Sequence, residues 1–480
     1  MLHILSFSFY HNTTGEPVIH LLIPGNVRYI VKMMRNLKWF VLLSIFTAAS
    51  LLGACTTVSE TPPSSHIPSP EQSGYPNPES EAMYPDKPFP EEIPAEEPFV
   101  YVLPDEYADL FAQADWIQEP SLPEDFVTGN TFMDWYSDMT IERYVDSTLD
   151  SMQQTGGNWV IFDNYWSYHS IEPPVFGPFT DRNDNAFRDA TEEEIGAMIQ
   201  KAHDRGLKFA LMLELNWDVM RGEWQGWEHA LSWGEEYFAI LERKVEELDN
   251  PTAGTNEFWD DWFESYGTFV MEHARIARDG NADMLVIGKQ IDYAVSPGNE
   301  QRWRDLIRDV RTIYDGPLGY AAWTNHEYTQ AEFMPYEELD YIIIYYYNEI
   351  STVENPSIAE LKESFEAFNR NQFQPLSERY GKPIIFLTPF QSRDYGAKQE
   401  WFEPSAPSDD IREDLLIQAK MYEALFQAVQ DEDWVKGIWS WGYWWRNDFT
   451  TMYNPDDSSF NKSSTIRNKP AMAVFEKWSP

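Results

Sequence analysis

Short apolar runs alternate with amphipathic segments along most of this 480-residue chain, and this alternation restricts its fold more than any other feature. Eight βα units predict an α/β fold, namely a (β/α)8 TIM barrel over residues 109–480. A doubly wound parallel sheet is the alternative. The eight runs with the length and composition of buried strands are 126–133, 158–163, 208–214, 284–291, 318–322, 341–347, 383–388 and 437–441.

Local patterns support helices between these strands. Thr191 and Glu194 form a capping box, in which each residue can satisfy a free amide of the first helical turn. The run 411–429 repeats apolar residues at three- and four-residue spacing, which is typical of a helix with one buried face. The segment 222–256 is longer than an ordinary βα connection, and we expect a helical insert beside the mouth of the barrel.

The amino-terminal part of the chain has the features of an export signal. The basic residues Arg35 and Lys38 accompany the apolar run 39–49, and small residues precede Cys55, which together predict a signal peptide over residues 33–54. The Leu-Gly-Ala-Cys sequence resembles a bacterial lipobox, which implies cleavage before Cys55 and a lipid on its sulfur. An ordinary signal peptide that ends near a cysteine is the alternative.

Composition predicts the remaining segment boundaries of the amino-terminal part of the chain. Residues 1–32 precede any plausible n-region, and we expect translation to begin at Met33 or Met34. Residues 55–108 are rich in Pro, Ser and Glu, and predict a disordered, extended tether between the anchor and the barrel. We therefore expect an exported monomer that is lipid-anchored to the bacterial cell envelope through Cys55 and faces away from the cytoplasm.

The formal net charge of −44 restricts the partners of the chain. Nucleic acids and anionic membrane surfaces are bound through basic patches, so the acidic excess argues against both as partners. A neutral ligand suits this charge, and adaptation to a salty environment is a second explanation. Cys55 is the only cysteine, so a disulfide bond within the chain is impossible.

A series of short sequence pieces follows the order and spacing of a known enzyme family. The pieces are Gly157-Asn158-Trp159-Val160, Gly206-Leu207-Lys208, Arg221-Gly222-Glu223, Trp262-Phe263-Glu264-Ser265-Tyr266, Gly316-Pro317-Leu318-Gly319-Tyr320, Leu339-Asp340-Tyr341-Ile342, Tyr380-Gly381-Lys382-Pro383 and Lys436-Gly437-Ile438-Trp439. In this series the chain resembles glycoside hydrolase family 113, the β-mannanases. The resemblance implies a (β/α)8 barrel, a poly- or oligosaccharide ligand, and two catalytic glutamates at the ends of strands four and seven.

Both of these glutamate positions are changed in this chain. Strand four has Ile287-Gly288-Lys289-Gln290 where the family has Ile-Gly-Thr-Glu, so an amide replaces the acid/base. Thr388 stands where the strand-seven nucleophile is expected, and Tyr345 replaces the usual aspartate of strand six. A retaining mechanism needs two carboxyl groups about 5 Å apart, so we expect the family's retaining hydrolysis to be lost.

Glu214 and Asp292 form the best remaining carboxylate pair. Strand alternation turns Asp292 to the same side as Gln290, roughly 7 Å further out, next to the end of the strand that carries Glu214. At a separation of about 6.5–9.5 Å the two groups could act as an inverting pair. The alternative is that both form hydrogen bonds to sugar hydroxyls or within a structural network.

Polar and aromatic side chains near the strand ends predict a carbohydrate-binding cleft. Active sites of this fold lie at the carboxyl ends of the strands, and aromatic rings pack against the apolar face of a sugar. Core packing is the alternative, because half of the side chains of a strand face the helices. The predicted ligand-binding residues are Asp163, Trp166, Trp217, Gln290, Trp323, Tyr345, Tyr347, Thr388, Trp439 and Trp441.

No cofactor and no metal are predicted. The run 181–192 places acidic or amide groups at several positions of a calcium loop, but Ala186 stands where the sharp turn needs glycine, so a polar turn is the interpretation. The sequence contains no phosphate-binding glycine loop, zinc-ligand spacing or serine nucleophile elbow.

Two functions follow from these patterns. The first is a surface-anchored barrel that binds a glycan without retaining hydrolysis. The second is an active glycoside hydrolase, an endo-β-mannanase or another β-glycanase, that uses Glu214 and Asp292. A structural envelope lipoprotein is a third hypothesis, against which the tryptophan-rich rim argues.

Overall fold

The chain divides into two compact units, Met1–Ser80 and Glu81–Pro480. Within the first unit, three strands form an antiparallel sheet: Ser6–His11, Pro17–Leu22 and Arg28–Lys32. The predicted signal peptide, Cys55 and most of the tether lie outside the described residues. A computed structural model describes residues 6–11, 17–22, 28–32, 101–117, 119–133, 137–171, 173–178, 189–216, 256–289, 291, 294–322, 333–399, 411–443 and 462–480.

Eight parallel strands close into a barrel in the second unit. They are β1 (Val127–Met133), β2 (Trp159–Ile171), β3 (Lys208–Asn216), β4 (Met284–Lys289), β5 (Leu318–Ala322), β6 (Tyr341–Tyr345), β7 (Ile384–Thr388) and β8 (Val435–Trp441). Each strand pairs with its neighbours in the chain, and β8 pairs with β1 to close the sheet. The predicted TIM barrel is thereby confirmed, and the doubly wound sheet is excluded because the barrel has no open edge. A short strand, Pro174–Gly177, pairs antiparallel with the end of β2.

Helices follow most of the strands. They are α1 (Asp105–Phe111), α2 (Ser137–Gln154), α3 (Glu192–Asp204), α4 (Asn256–Gly280), α5 (Glu300–Arg311), α6 (Ile358–Phe368), α7 (Gln374–Tyr380), α8 (Leu415–Val429) and α9 (Pro470–Trp478). No helix in the described part of the chain has the length and apolar character that a membrane crossing requires. The segment of the predicted helical insert lies almost entirely outside the described residues.

Side-chain caps fix where helices begin. The predicted capping box is present at α3, where the Glu194 amide donates to the Thr191 hydroxyl at 3.3 Å and the Thr191 amide donates to the Glu194 carboxylate at 2.8 Å. Helix α8 begins at Leu415, four residues after the start of its apolar pattern, because the Asp414 carboxylate accepts the amides of Leu416 and Ile417.

The strands are buried on both faces. One face fills the barrel interior, and the other packs under the helices, so both faces carry apolar residues and the strands read as continuous apolar runs. On β7, for example, Ile385 and Leu387 lie in the interior, while Ile384 and Phe386 lie under the helices. Interior and helix-facing positions of such a strand therefore cannot be told apart by polarity.

A bulge in β4 changes which of its residues face the interior. Val286 pairs with Gly319 and Lys289 pairs with Ala321, so two residues of β4 lie opposite one residue of β5. Gly288 occupies the bulge, where an added Cβ would lie 3.0 Å from the hydroxyl oxygen of Tyr266. The bulge turns Lys289 into the barrel interior, next to strands β2 and β3.

Candidate functional site

The barrel interior holds a buried cluster of three charged side chains from adjacent strands. The Lys289 ammonium of β4 donates to the Oδ2 atom of Asp163 on β2 and to the Oε2 atom of Glu214 on β3. The side chains of Lys289 and Asp163 are 0 % exposed, and that of Glu214 is 7 % exposed. Because all three are removed from water, each charge depends on the other two for its stability.

The pKa values of the cluster reflect its burial and its charges. Burial raises the pKa of the Glu214 carboxyl to about 8; the Lys289 ammonium opposes this rise, and the Asp163 charge adds to it. Burial also lowers the pKa of the Lys289 amine, but the two carboxylates outweigh that effect and raise it above its ordinary value. Lys289 therefore stays charged at neutral pH, and a proton on Glu214 brings the cluster close to charge balance.

Aromatic side chains surround this charged cluster. The Tyr165 hydroxyl donates to the Oδ2 atom of Asp163 at 3.2 Å. The Lys289 nitrogen lies 5.5 Å from the centre of the Trp441 ring, within the range of a cation–π contact. Tyr345 meets Trp441 edge-on, with ring centres 5.9 Å apart, and Tyr347 lies 6.3 Å from Tyr345. These rings form an apolar wall around the ammonium and the carboxylates.

Trp439 lies deeper in the barrel and is fully buried. Its indole ring packs over Gly129 of β1, where an added Cβ would lie 2.9 Å from the Trp439 ring and 2.6 Å from Ile161. A glycine on the neighbouring strand is therefore what gives the large ring its space inside the barrel.

Several buried polar atoms of the barrel have no hydrogen-bond partner in the part of the chain that the structure describes. They include Asp163 Oδ1, Thr131 Oγ1 and Trp439 Nε1, which come from the adjacent strands β2, β1 and β8. An unpaired buried polar group costs about 1–3 kcal/mol. Such atoms therefore favour a polar ligand or water in the barrel interior.

Two predicted ligand-binding residues face the helices instead of the interior. Trp166 stacks on Phe269 of α4, with ring centres 5.0 Å apart, and meets His273 edge-on. The Thr388 hydroxyl donates to the Trp439 carbonyl at 2.8 Å and lies 3.2 Å from the Tyr422 hydroxyl of α8. The expectation that these side chains face the cleft is corrected accordingly, because strand register sets their direction.

The register of β7 also moves the position that corresponds to a nucleophile. Since Leu387 lies in the interior and Thr388 faces the helices, the next interior position is Pro389, which carries no carboxylate. Phe390 packs again in the core under the helices, in agreement with this alternation.

The structure brings together some of the predicted site residues. Asp163, Glu214, Tyr345, Trp439 and Trp441 lie in the barrel interior, with Tyr347 partly buried at its edge. The predicted residues that lie outside the described part of the chain are Trp217, Gln290, Asp292, Trp323 and Cys55, together with positions 181–188 of the rejected calcium loop.

Sequence reasoning missed Lys289 as a site residue. A lysine inside a run of buried strand residues was a usable signal, because buried lysines are almost always paired with acidic groups. Strand alternation nevertheless pointed Lys289 away from Gln290, and only the bulge in β4 shows that its ammonium is inside the barrel.

The described residues contain no group of three or more His, Cys, Asp or Glu side chains that could hold a metal ion. The cluster of two carboxylates and one ammonium instead offers hydrogen-bond donors and acceptors. Aromatic rings of Tyr165, Tyr345 and Trp441 lie around these polar groups.

Comparison with known proteins identifies the family. The family model for Glycoside Hydrolase Family 113 matches residues 139–469, which is more than half of the chain. The chain belongs to glycoside hydrolase family 113. No match was found among curated proteins.

Solved family 113 structures agree with the fold. A GH113 β-1,4-mannanase in complex is 22 % identical, with a TM-score of 0.53 over 74 % of this chain and 98 % of the other. The GH113 β-mannanase of Alicyclobacillus acidocaldarius, in complex with ManMIm, is 20 % identical, with a TM-score of 0.50 over 76 % of this chain and 98 % of the other. At this identity the likeness shows the barrel fold alone.

Proposed function

We propose that this family 113 protein binds a glycan in the interior cleft of its barrel and has lost the retaining hydrolysis of its family. The observation that carries the proposal is the Lys289 ammonium, which binds both Asp163 and Glu214. A retaining pair needs an acid and a nucleophile with the anomeric carbon between them. The family's two positions carry no carboxylate here, and the two carboxylates of the described barrel interior, Asp163 and Glu214, hold an ammonium between them.

The sequence supports the same proposal from the two catalytic positions. Gln290 stands at the acid/base position of β4, and an amide cannot deliver a proton at neutral pH. On β7 neither Thr388 nor the interior position Pro389 carries a carboxylate. Aromatic rings around the cluster, on the other hand, suit a sugar, whose apolar face packs on such rings.

We further propose that the protein acts outside the cytoplasm as a lipoprotein, anchored through Cys55. The lipobox-like Leu-Gly-Ala-Cys sequence and the Pro-, Ser- and Glu-rich residues 55–108 support this location. Metabolic labelling with a radioactive or clickable fatty acid tests it. Label should be incorporated by the wild type and lost in Cys55→Ala; equal labelling of both would contradict the anchor.

Binding and turnover must be measured on the same glycans to test the main proposal. Isothermal titration with β-1,4-mannan, β-1,4-glucan and xylan oligosaccharides should show saturable binding of at least one of them. Reducing-end assays with that ligand should show no turnover above a buffer control. Turnover at an enzymatic rate would refute the loss of hydrolysis, and the absence of binding to every glycan would refute the ligand class.

An active hydrolase is the second candidate, and one observation favours it. Burial raises the pKa of Glu214 to about 8, so this carboxyl can hold a proton at neutral pH as a general acid does. Asp292 would then activate water as the base of an inverting pair. Any turnover should in that case vanish in both Glu214→Gln and Asp292→Asn; turnover that survives both substitutions would exclude this pair.

A further inference from the structure

The contact between Lys289 and Asp163 leaves one donor and one acceptor unused. An ammonium has three N–H groups, and the described residues accept two of those of Lys289, at Asp163 and Glu214. The Oδ1 atom of Asp163 is buried and has no hydrogen-bond partner in the same part of the chain, although Oδ2 accepts from Lys289 and Tyr165. A free N–H and a free carboxylate oxygen therefore lie on two groups in direct contact.

This arrangement matches two adjacent hydroxyl groups. One hydroxyl oxygen can accept from the Lys289 ammonium while its neighbour donates to Asp163 Oδ1, so both unused atoms are satisfied by one ring. We propose that Lys289 and Asp163 together bind a vicinal diol of an uncharged sugar, which makes Lys289 a specificity-determining residue of the site. The inference rests on the proposed glycan-binding function and names the class of sugar.

The charges of the cluster select against anionic sugars. The Lys289 ammonium already donates to Asp163 and Glu214, and the carboxylate of a uronate would lie close to the buried Asp163 carboxylate. Like charges at short range in a buried site repel strongly. A neutral sugar changes no charge, and its hydroxyls bind the charged groups through the stronger, charge-assisted kind of hydrogen bond.

Two side chains of the cluster region keep a small exposed surface, which marks the side from which a ligand would approach. Glu214 and Trp441 retain 5 % and 6 % of their surface exposed, whereas Lys289 and Asp163 are fully buried. A sugar that enters past Trp441 therefore meets an aromatic ring before it reaches the ammonium, 5.5 Å from the centre of that ring. Carbohydrate sites have a similar arrangement, in which aromatic rings contact the sugar ring and polar groups deeper in the site bind its hydroxyls.

A single replacement of Lys289 is not a sufficient test, because Lys289→Met leaves two buried carboxylates without their cation and can unfold the barrel. A charge-free variant avoids this problem. Asp163→Asn, Glu214→Gln and Lys289→Met combined keep the volume of each side chain and bury no charge. Lys201→Met, which removes a surface lysine of α3 paired with Asp146, is the matched control.

The experiment measures glycan affinity of the full chain by isothermal titration. The probes are neutral β-1,4-linked oligosaccharides, their monodeoxy analogues, and oligosaccharides of equal length that carry uronate groups. Folding of each variant is checked by circular dichroism and thermal unfolding. We expect the folded charge-free variant to bind the neutral ligand about ten- to one-hundred-fold more weakly than the wild type, and Lys201→Met to bind it equally well.

Two further outcomes decide the diol contact. In the wild type, removal of either of two adjacent hydroxyls should weaken binding about ten-fold, and in the charge-free variant the same removals should have little effect. Wild-type affinity in the folded charge-free variant, or equal affinity for the uronate ligand, would overturn the inference while glycan binding itself stood. Failure of the wild type to bind any of the probes would instead overturn both this inference and the proposed function.

Discussion

Replacement of Glu214 by glutamine should change how stability depends on pH. In the folded protein burial raises the pKa of Glu214 from its ordinary value of 4.5 to about 8. Between these two values the folded state binds a proton at this site that the unfolded state has released. The contribution of Glu214 to stability is therefore present below about pH 4.5 and is lost as the pH rises towards 8.

The size of the effect follows from the shift. One proton bound in the folded state alone changes the free energy of unfolding by about 1.4 kcal/mol per pH unit. Glu214→Gln is neutral at every pH and removes this dependence. The variant should therefore gain stability relative to the wild type as the pH rises, by about 2 kcal/mol between pH 6 and pH 8, since the folded-state site is already half ionised at pH 8.

Urea unfolding at 25 °C, measured in half-unit steps from pH 5 to pH 8.5, gives this difference directly. The quantity to plot is the difference in the free energy of unfolding between the variant and the wild type, because the contributions of other titrating groups are the same in both proteins and cancel. His273 is one of these, since burial lowers its pKa to about 4 and produces the opposite slope below pH 6.5. Glu366→Gln, on the surface of α6, is the control variant. A difference that stayed flat from pH 6 to pH 8 would show that Glu214 is ionised throughout, and the charge balance inferred for the cluster would be wrong.

Three further predictions concern the catalytic positions and the aromatic wall. Thr388→Val should lower the free energy of unfolding by about 1–2 kcal/mol, because a buried hydrogen bond is lost. Its glycan affinity in titration should be unchanged. A ten-fold loss of affinity in the folded variant would show that the Thr388 side chain faces the cleft. Gln290→Glu should create no hydrolysis in a reducing-end assay, since no nucleophile stands on β7, and a large gain in turnover would contradict this. Trp441→Phe should weaken glycan binding about ten-fold through lost contact area, whereas Trp166→Phe should leave the affinity unchanged. Equal effects of the two substitutions on affinity would refute the placement of Trp441 in the interior and of Trp166 under the helices.

The barrel could be predicted from the sequence because its signal is repeated. Eight apolar runs with helical patterns between them allow few folds, and an error of a few residues at one strand leaves the architecture unchanged. Local chemistry also fixed particular helix ends, as at Thr191, where the capping box lies within four residues of sequence. The predicted start of α8 was four residues too early, because the apolar pattern begins at position 411 whereas Asp414 caps a helix that begins at Leu415.

The directions of the site residues could not be predicted in the same way. A parallel strand buried on both faces has apolar residues at every position, so polarity does not distinguish Phe386, under the helices, from Leu387, in the interior. Thr388 and Trp166 were expected in the cleft for this reason. The bulge in β4 adds a second difficulty, because one extra residue moves every later side chain of the strand to the opposite face of the sheet. In the sequence, Gly288 is the only sign of where this bulge lies.

The two changes at the end of β4 reinforce each other physically. Lys289 directly precedes the acid/base position of the family, and the bulge turns its ammonium into the barrel. The Gln290 amide cannot deliver a proton at neutral pH, although it can still form hydrogen bonds to a ligand. The Lys289 ammonium in turn occupies the space between Asp163 and Glu214, where it binds both carboxylates. Restoring hydrolysis should therefore require three changes at once, namely a carboxyl group at position 290, a nucleophile at the interior position of β7 now occupied by Pro389, and the removal of the Lys289 charge.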